Sequence, residues 1–344
     1  MSADPTSDPN PDPARLAPRL ETIMSETLGA GVRIAELVRL KGGYSRRMWA
    51  FDAVDAAGER SPWILCTDSA EGVVGEDSLA RDREAELLRQ VHAAGIPAPG
   101  VAAAGTAGEA FEVAWFVMQR LAGTAAVGPL VRDPALIARR RALGRQKAEI
   151  LAAIHRLAPP SEAFADCPEP DEVASIEMRR WIRALERTPG AHTVTMTAAL
   201  AALRRARPAP PGRLCVVHGD YRTGNLLYDP HGGVGITGVL DWEMAHPGDP
   251  LEDVAWAQLA AWRVGTGLVG ALLSDDEWLA DYRDASGIAI DAESLAFWQV
   301  LTGVKMSILA WRAVEATPPG KEHDLLVALF EQLQVQLDVR IRSA

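Results

Sequence analysis

VVHGDYRTGNLLYD, residues 216–229, places His218, Asp220, Arg222 and Asn225 within eight residues, with Gly219 and Gly224 among them, between two apolar segments. Loops carried on rigid strands are where reactive side chains tend to be held. Sixteen residues after Asn225, the apolar run GITGVL (235–240) ends at Asp241. The intervening DPHGG (229–233) is a strong reversal signal. A hairpin over this stretch brings Asp241 back beside Asn225, so that two carboxylates and one amide oxygen converge. Such hard oxygen donors suit Mg²⁺, which usually takes one or two carboxylates plus substrate phosphates. Taken singly, Asp220 and Asn225 are also residues that a capped turn would use. The set of three, at this spacing and with strands on both sides, points to a site.

The rest of the chain bounds what that site can belong to. With 344 residues, 48% hydrophobic and 24% charged, the sequence can form one large or two medium domains with a true core. No run approaches the ~18 apolar residues of a membrane span. The opening MSADPTSDPNPDP lacks the basic start and apolar core of a signal peptide. Having almost nothing to bury, residues 1–12 are expected to be a disordered leader. Cys66, Cys167 and Cys215 show neither metal-ligand spacing nor a disulfide framework, and a reducing, cytoplasmic setting is the simple inference. The net charge of −11 argues against nucleic acid as the main partner. Nothing in the sequence specifies an oligomeric state.

Pattern and period divide the chain near residue 123. Pro13 to about Leu28 reads as a helix, with Asp12 as its N-cap and a proline in the first turn. VRIAELVRL, RRMWAFDAVD and PWILCTD read as three strands, joined by KGGYS and AAGERS. SLARDREAELLRQVHAAG is an amphipathic helix with Leu79, Leu87, Leu88 and Val91 on one face, ended by Gly95. PGVAAAG and FEVAWFVMQRL suggest two more strands. Residues 13–122 thus predict a small antiparallel sheet with one helix. Residues 123–344 are mainly helical, with helical periodicity over 133–157, 171–188, 194–206, 249–262, 275–285, 291–314 and 321–341. The exception is 214–241, which reads strand, loop, strand, turn, strand. The class is α+β.

HGDYRTGN followed by VLDWE resembles the catalytic core of the aminoglycoside phosphotransferase and choline kinase group, which shares the protein-kinase-like fold. The resemblance extends through GGYS, REAELL, HAAGIPAP, GDPLEDVAW and FWQVLTGVKMSI, from about Leu40 to about Leu309. The wording of HGDYRTGN and DWEMAHPGDPLEDVAW is similar to a bacterial subgroup related to hydroxyacid kinases fused to acyl-CoA dehydrogenases. The resemblance implies a two-lobed ATP- and Mg²⁺-dependent phosphotransferase, a class whose chemistry rests on positioning and charge neutralisation. Asp220 would accept the proton of the attacking hydroxyl, and Asn225 and Asp241 would hold Mg²⁺. Arg222, standing where protein kinases often carry a lysine, would stabilise charge on the moving phosphoryl group; the alternative is a loop arginine paired with an acid. His218 is expected to be structural. Asp249 caps a helix before Pro250, and Asp249 or Asp253 braces the loop from beneath.

On the nucleotide side the resemblance assigns Gly42, Gly43 and Ser45 to the phosphate turn, and Ile64 to the adenine. Glu84 would orient a phosphate-gripping cation, and the backbone around Gln119 to Leu121 would meet the adenine edge. Relatives carry Lys or Arg on the third strand. Alternation along PWILCTD puts Ile64 and Cys66 on one face, so the cation's place falls on Cys66, a small hydrophobe that cannot clamp a phosphate. A buried Glu84 then needs another cation. Lys41, Arg46 and Arg47 flank the glycine turn, and Arg46 or Arg47 is the candidate for the ATP phosphates or Glu84.

For the acceptor, a small-molecule hydroxyl, the candidate contacts are Trp256, Trp298 and Lys305, because late helices line the acceptor pocket in this fold. Arg139, Arg140, Arg141, Arg145 and Lys147 form a basic cluster on one helix, best read as a solvated face. His155 reads as a core histidine. A hydroxyacid or hydroxyacyl-CoA is the preferred acceptor class on motif wording, and an aminoglycoside is the alternative. A catalytically weak nucleotide-binding module is the reading that Cys66 keeps open. DWE runs almost directly into GDPLEDVAW, which leaves little room for the peptide-binding loop of a protein kinase.

Overall fold

The computed structural model describes residues 13–40, 46–68, 78–206, 208–233 and 235–343. The expected Asp12 cap, the glycine turn with Gly42, Gly43 and Ser45, and Lys41 lie outside the described residues. The contacts divide the described chain into two compact units: residues up to 68 with Pro99–Leu121, and residues 78–98 with Ala122 onward.

The first unit is a five-stranded antiparallel sheet in the order β1-β2-β3-β5-β4 (β1 Arg33–Arg39, β2 Arg46–Val54, β3 Arg60–Asp68, β4 Val101–Gly105, β5 Trp115–Gln119) with helix α1, Pro13–Leu28. Strand alternation builds its core. Trp49, Phe51 and Ala53 of β2, Trp63 and Leu65 of β3, and Trp115 and Val117 of β5 share one face and bury against Leu16, Leu20 and Met24 of α1. The opposite face follows from register: Met48 pairs with Cys66, Ala50 with Ile64, and Cys66 with Phe116. Ile64 and Cys66 therefore share a face, as alternation predicts.

Helix α2, Arg81–Ala93, was expected to belong with this sheet, yet it clusters with the second unit. The local bonds explain why. Leu79 N donates to Glu243 O at 2.6 Å, Val239 N donates to Pro97 O at 2.6 Å, and Arg81 reaches the Glu243 carboxylate.

The second unit is mainly helical: α3 Val127–Arg132, α4 Pro134–His155, α5 Val173–Glu186, α6 Val194–Arg205, α7 Pro250–Ala257, α8 Asp275–Ser286, α9 Ala292–Ala316 and α10 Lys321–Ser343. Residues 127–132, expected as a connection, form the short α3. Caps set several starts: Asp133 on Ala135 N, Asp249 on Leu251 N, and a full capping box at Ser274 and Glu277. α9 is apolar almost all round, and most of its residues are buried, as expected of a helix threaded through a core. The 214–241 stretch holds β6 Cys215–Val217, β7 Leu226–Tyr228 and β8 Ile236–Val239. β7 and β8 form the predicted hairpin, with Leu226 opposite Val239. β6 pairs instead with an unpredicted strand, β9 His246–Gly248. Among the described residues no helix is long and apolar enough to cross a membrane.

Candidate active site

β6 and the β7–β8 hairpin deliver the loop's polar side chains to one place. Gly219 follows β6 with φ +80°, and a Cβ there would meet the Met244 carbonyl oxygen at 2.4 Å, so only glycine fits. His218 is fully buried. It takes the Asp220 N–H on Nδ1 at 3.2 Å and donates from Nε2 to Leu240 O at 3.1 Å. This is the neutral ring, and burial lowers its pKa accordingly. His218 therefore ties the Asp220 backbone to the residue before Asp241, the structural role expected of it.

The Asp220 carboxylate accepts from three donors, one of them shared between its two oxygens. Arg222 Nε lies 3.2 and 3.1 Å from Oδ1 and Oδ2. Asn225 Nδ2 donates to Oδ2 at 2.7 Å, and also to the Asp220 carbonyl at 3.0 Å. Trp256 Nε1 donates to Oδ1 at 2.8 Å. The backbone supports this arrangement through a 3₁₀ turn at Thr223–Asn225, in which Asn225 N donates to Arg222 O at 2.9 Å. Leu240 N donates to Asn225 O at 2.8 Å, which puts Asp241 at the strand end next to Asn225. Asp241 has φ +69°, a left-handed conformation that aspartate tolerates better than most residues. With its amide nitrogen on Asp220, Asn225 has its oxygen left as the atom for a cation. Asn225 Oδ1 and the Asp241 carboxylate are hard oxygen donors, the kind that Mg²⁺ takes.

Beneath the loop, α7 supplies the brace. Asp253, wholly buried, accepts His218 N at 2.7 Å, Gly219 N at 2.9 Å and His155 Nε2 at 3.1 Å. Burial would raise its pKa, but the bonds from His155 and His218 outweigh this and lower it. Of the two acids expected to brace the loop, Asp253 holds it. Asp249 caps α7 and accepts from Trp298 Nε1 at 3.0 Å.

Several expectations are corrected. Trp298 is fully buried, with its indole N–H on Asp249, and offers no surface to an acceptor. Lys305 is 2% exposed and donates to Gly219 O at 2.7 Å and Glu252 Oε1 at 3.1 Å; it supports the loop from within. Trp256 is 1% exposed, and what it reaches is Asp220. The basic cluster on α4 is a working surface: Arg139 and Arg140 bond backbone carbonyls, and Arg141 pairs with Asp281 and Glu277. Lys147, grouped with them in sequence, is instead buried. His155 is a buried, bonded core histidine, as read. Gln119 turns its side chain back to accept Gly100 N at 3.2 Å, and Leu121 is half-buried.

Glu84 is buried, and Arg81 is the cation beside it; Arg81 also lies 3.4 Å from Glu243 Oε2. The sequence reading looked past Arg81. The signal was there as an i,i+3 pair on one helix face. Arg46 and Cys66 are both buried in the first unit.

This site and its sheet-plus-helical architecture define a protein-kinase-like phosphotransferase. Residues 36–298 match the model of the phosphotransferase enzyme family, and the chain belongs to that family. Among solved structures it is similar to an aminoglycoside phosphotransferase assignment from Ralstonia eutropha, with TM-score 0.72, 15% identity, and 94% and 97% of the two chains covered. It is also similar to a thermostable mutant of aminoglycoside phosphotransferase APH(4)-Ia in its apo form, with TM-score 0.62, 18% identity, and 94% and 98% covered. At these identities the likeness speaks for the fold. Among curated proteins it is similar to mouse acyl-CoA dehydrogenase family member 10, 24% identical over 201 residues, 57% of this chain and 18% of that protein. The probable acyl-CoA dehydrogenase IBR3 of Arabidopsis thaliana is 26% identical over 253 residues, 66% of this chain and 30% of that protein. The chain thus spans between about a fifth and a third of the length of these relatives.

Proposed function

We propose that this protein transfers the γ-phosphoryl group of ATP to a hydroxyl of a small molecule, with Mg²⁺. The supporting observation is the Asp220 carboxylate hydrogen-bonded to Asn225, whose backbone pairs with the residue before Asp241, in a chain of the phosphotransferase family. Asp220 accepts the hydrogen bond and then the proton of the attacking hydroxyl, within hydrogen-bond reach as a general base must be. Asn225 Oδ1 and the Asp241 carboxylate hold the cation, whose charge offsets that of the phosphates. Arg222, stacked at 4.9 Å from the centre of the Trp262 ring, is placed to meet negative charge as it builds on the transferred group.

Arg46 rather than Arg47 is the cation that stands in for the absent strand-3 lysine. β2 register puts Arg46 opposite Asp68, on the face of Met48, Cys66 and Ile64, and puts Arg47 on the face of Trp49. Diagonal neighbours across a strand pair remain within reach of long side chains, and the small Cys66 leaves room for the Arg46 stem. Ile64 then faces the adenine, and the Gln119–Leu121 backbone its edge. Glu84 is paired with Arg81 on its own helix.

A hydroxyacid or hydroxyacyl-CoA is the favoured acceptor. The Arg222 guanidinium makes the surroundings of Asp220 cationic, which suits an acceptor that is not itself cationic. Two matched relatives are named as acyl-CoA dehydrogenases. The second reading, an aminoglycoside, is favoured by the net charge of −11 and by fold neighbours that include a ternary complex with AMP-PNP and hygromycin B. The test is ADP release from Mg·ATP against 3- and 4-hydroxyacids, their CoA thioesters, kanamycin and hygromycin B. Phosphorylation of a hydroxyacid or thioester is expected. Phosphorylated antibiotic with inert hydroxyacids overturns the acceptor class. No ADP, with no thermal stabilisation by Mg·ATP, returns the protein to a binding module.

A further inference from the structure

The Asp220 carboxylate has about four lone-pair sites, and three N–H groups crowd them: Asn225 Nδ2 on Oδ2, Trp256 Nε1 on Oδ1, and the single Arg222 Nε–H shared between both oxygens. An acceptor hydroxyl must compete with these donors for the carboxylate. The donors differ. Arg222 makes the longest contacts, 3.1 and 3.2 Å, and its side chain is 30% exposed. Its guanidinium already has a resting place on the Trp262 ring. Trp256 bonds at 2.8 Å, is buried, and sits on a helix with no freedom to turn.

That helix, α7, reads the loop twice. Asp253 takes the N–H groups of His218 and Gly219, and Trp256, three residues on and thus on the same helix face, takes the Asp220 side chain. One helical turn therefore fixes both the loop's main chain and its carboxylate. A third element locks the pair. Lys305 Nζ lies 4.6 Å from the Trp256 ring centre and 5.5 Å from that of Trp181, while donating to Gly219 O. A buried cation on the face of an indole draws density from the ring, which makes its N–H a stronger donor toward Asp220.

We infer that Trp256 is the positioning residue of the reaction. Its indole N–H, backed by Lys305, stays on Asp220 Oδ1 and aims Oδ2 at the acceptor, while Arg222 swings off the carboxylate to admit the hydroxyl. This rests on the phosphotransferase reading of Asp220.

Two readouts test it, one of which needs no substrate. In protein labelled with ¹⁵N-tryptophan, the Trp256 indole resonance is assigned by its disappearance in Trp256→Phe. It is expected to shift strongly upfield in Asp220→Ala, and less in Asp220→Asn, with the remaining indole resonances in place. With Mg·ATP and whichever acceptor of the panel above the wild type uses, Trp256→Phe is expected to lower kcat by about 10- to 100-fold, the effect of one charge-assisted hydrogen bond, while KM for ATP changes less than about twofold. An indole resonance indifferent to Asp220→Ala, or a normal kcat in Trp256→Phe, overturns the inference and leaves the kinase reading standing. No ADP from the wild type with any acceptor overturns the kinase reading, and the positioning role with it. If Trp256→Phe fails to fold, Trp256→Tyr takes its place for both the assignment and the kinetics.

Discussion

Lys147 gives the clearest link between burial and a measurable quantity. Its ammonium is buried within the second unit, 3.4 Å from Thr223 Oγ1 and over the rings of Tyr221 and Trp278 at 5.7 and 5.2 Å. No carboxylate pairs with it among the described residues. Burial pushes its pKa from 10.5 down to about 7. In the unfolded chain the group stays near 10.4. Between these values the unfolded chain holds a proton that the fold has released, so stability rises with pH, by about 1.4 kcal/mol per unit. Below about pH 7 both states are charged and the full cost of the buried ammonium, on the order of 5 kcal/mol before its ring contacts offset part of it, is present. Lys147→Met keeps the stem and removes the charge. Urea unfolding at about pH 7 and about pH 9 is expected to show the wild type gaining roughly 2 to 3 kcal/mol more than the variant across that interval. The variant is also expected to be the more stable of the two at the lower pH. Parallel pH profiles for the two proteins would refute the reasoning, because they would mean that Lys147 keeps its charge in the fold.

Four further outcomes follow from the same contacts. Arg46→Ala is expected to weaken Mg·ATP binding by about tenfold or more, with Arg47→Ala near wild type and Cys66→Arg restoring affinity in the Arg46→Ala background, all read by calorimetric titration. Asp220→Asn is expected to abolish phosphoryl transfer while Mg·ATP still raises the thermal midpoint. Arg81→Ala takes a buried cation away from both Glu84 and Glu243, and a loss of about 3 to 5 kcal/mol is expected in chemical denaturation; a change under about 1 kcal/mol would show that the pair is dispensable. Gly219→Ala drives a Cβ into the Met244 carbonyl at 2.4 Å from a positive-φ position, and is expected to lose activity before it loses secondary structure by circular dichroism.

Much of this architecture was legible because local signals agreed with one another. The alternation that separates Ile64 and Cys66 from Leu65 is a property of strand geometry, and it survives into the sheet unchanged. The DPHGG reversal fixed the β7–β8 hairpin, and with it the neighbourhood of Asn225 and Asp241. What resisted reading was long-range. β9 is three residues long and gains its identity only by pairing with β6. Arg81 lay in plain view beside Glu84, but the family pattern directed attention to the third strand. Lys147 shares a helix with four arginines, and nothing local separates the one turned inward from those turned out. Trp256, Trp298 and Lys305 were assigned to an acceptor because late helices line the acceptor pocket in the fold the sequence resembles. The structure uses each tip on an internal partner: Asp220, Asp249 and Gly219. An apolar helix that passes through a core must satisfy its few polar groups inside it, and here those inside partners belong to the catalytic loop and its brace.

The charges under the loop argue the same way. Glu177, His246 and Glu252 bring ligand atoms within 4.8 Å of one another, a composition that would suit a structural zinc ion. The neighbours argue against one. Lys305 lies 3.1 Å from Glu252, and Arg180 3.3 Å from Glu177. Burial alone would lower the His246 pKa, but Glu252 and Glu177 prevail and raise it, so the ring favours a proton that a metal would have to displace. Two carboxylates facing protonated His246, Lys305 and Arg180 already have their counter-charges. Breaking such a set is far more damaging than its net worth suggests, and that asymmetry suits a scaffold. Lys305 can carry a full charge beneath Trp256 and Gly219 only because Glu252 neutralises it. Glu252 in turn keeps its own charge at that depth because His246 and Lys305 together hold it. The orientation of Asp220 thus depends, through Trp256 and the Gly219 carbonyl, on acids and bases that no substrate touches.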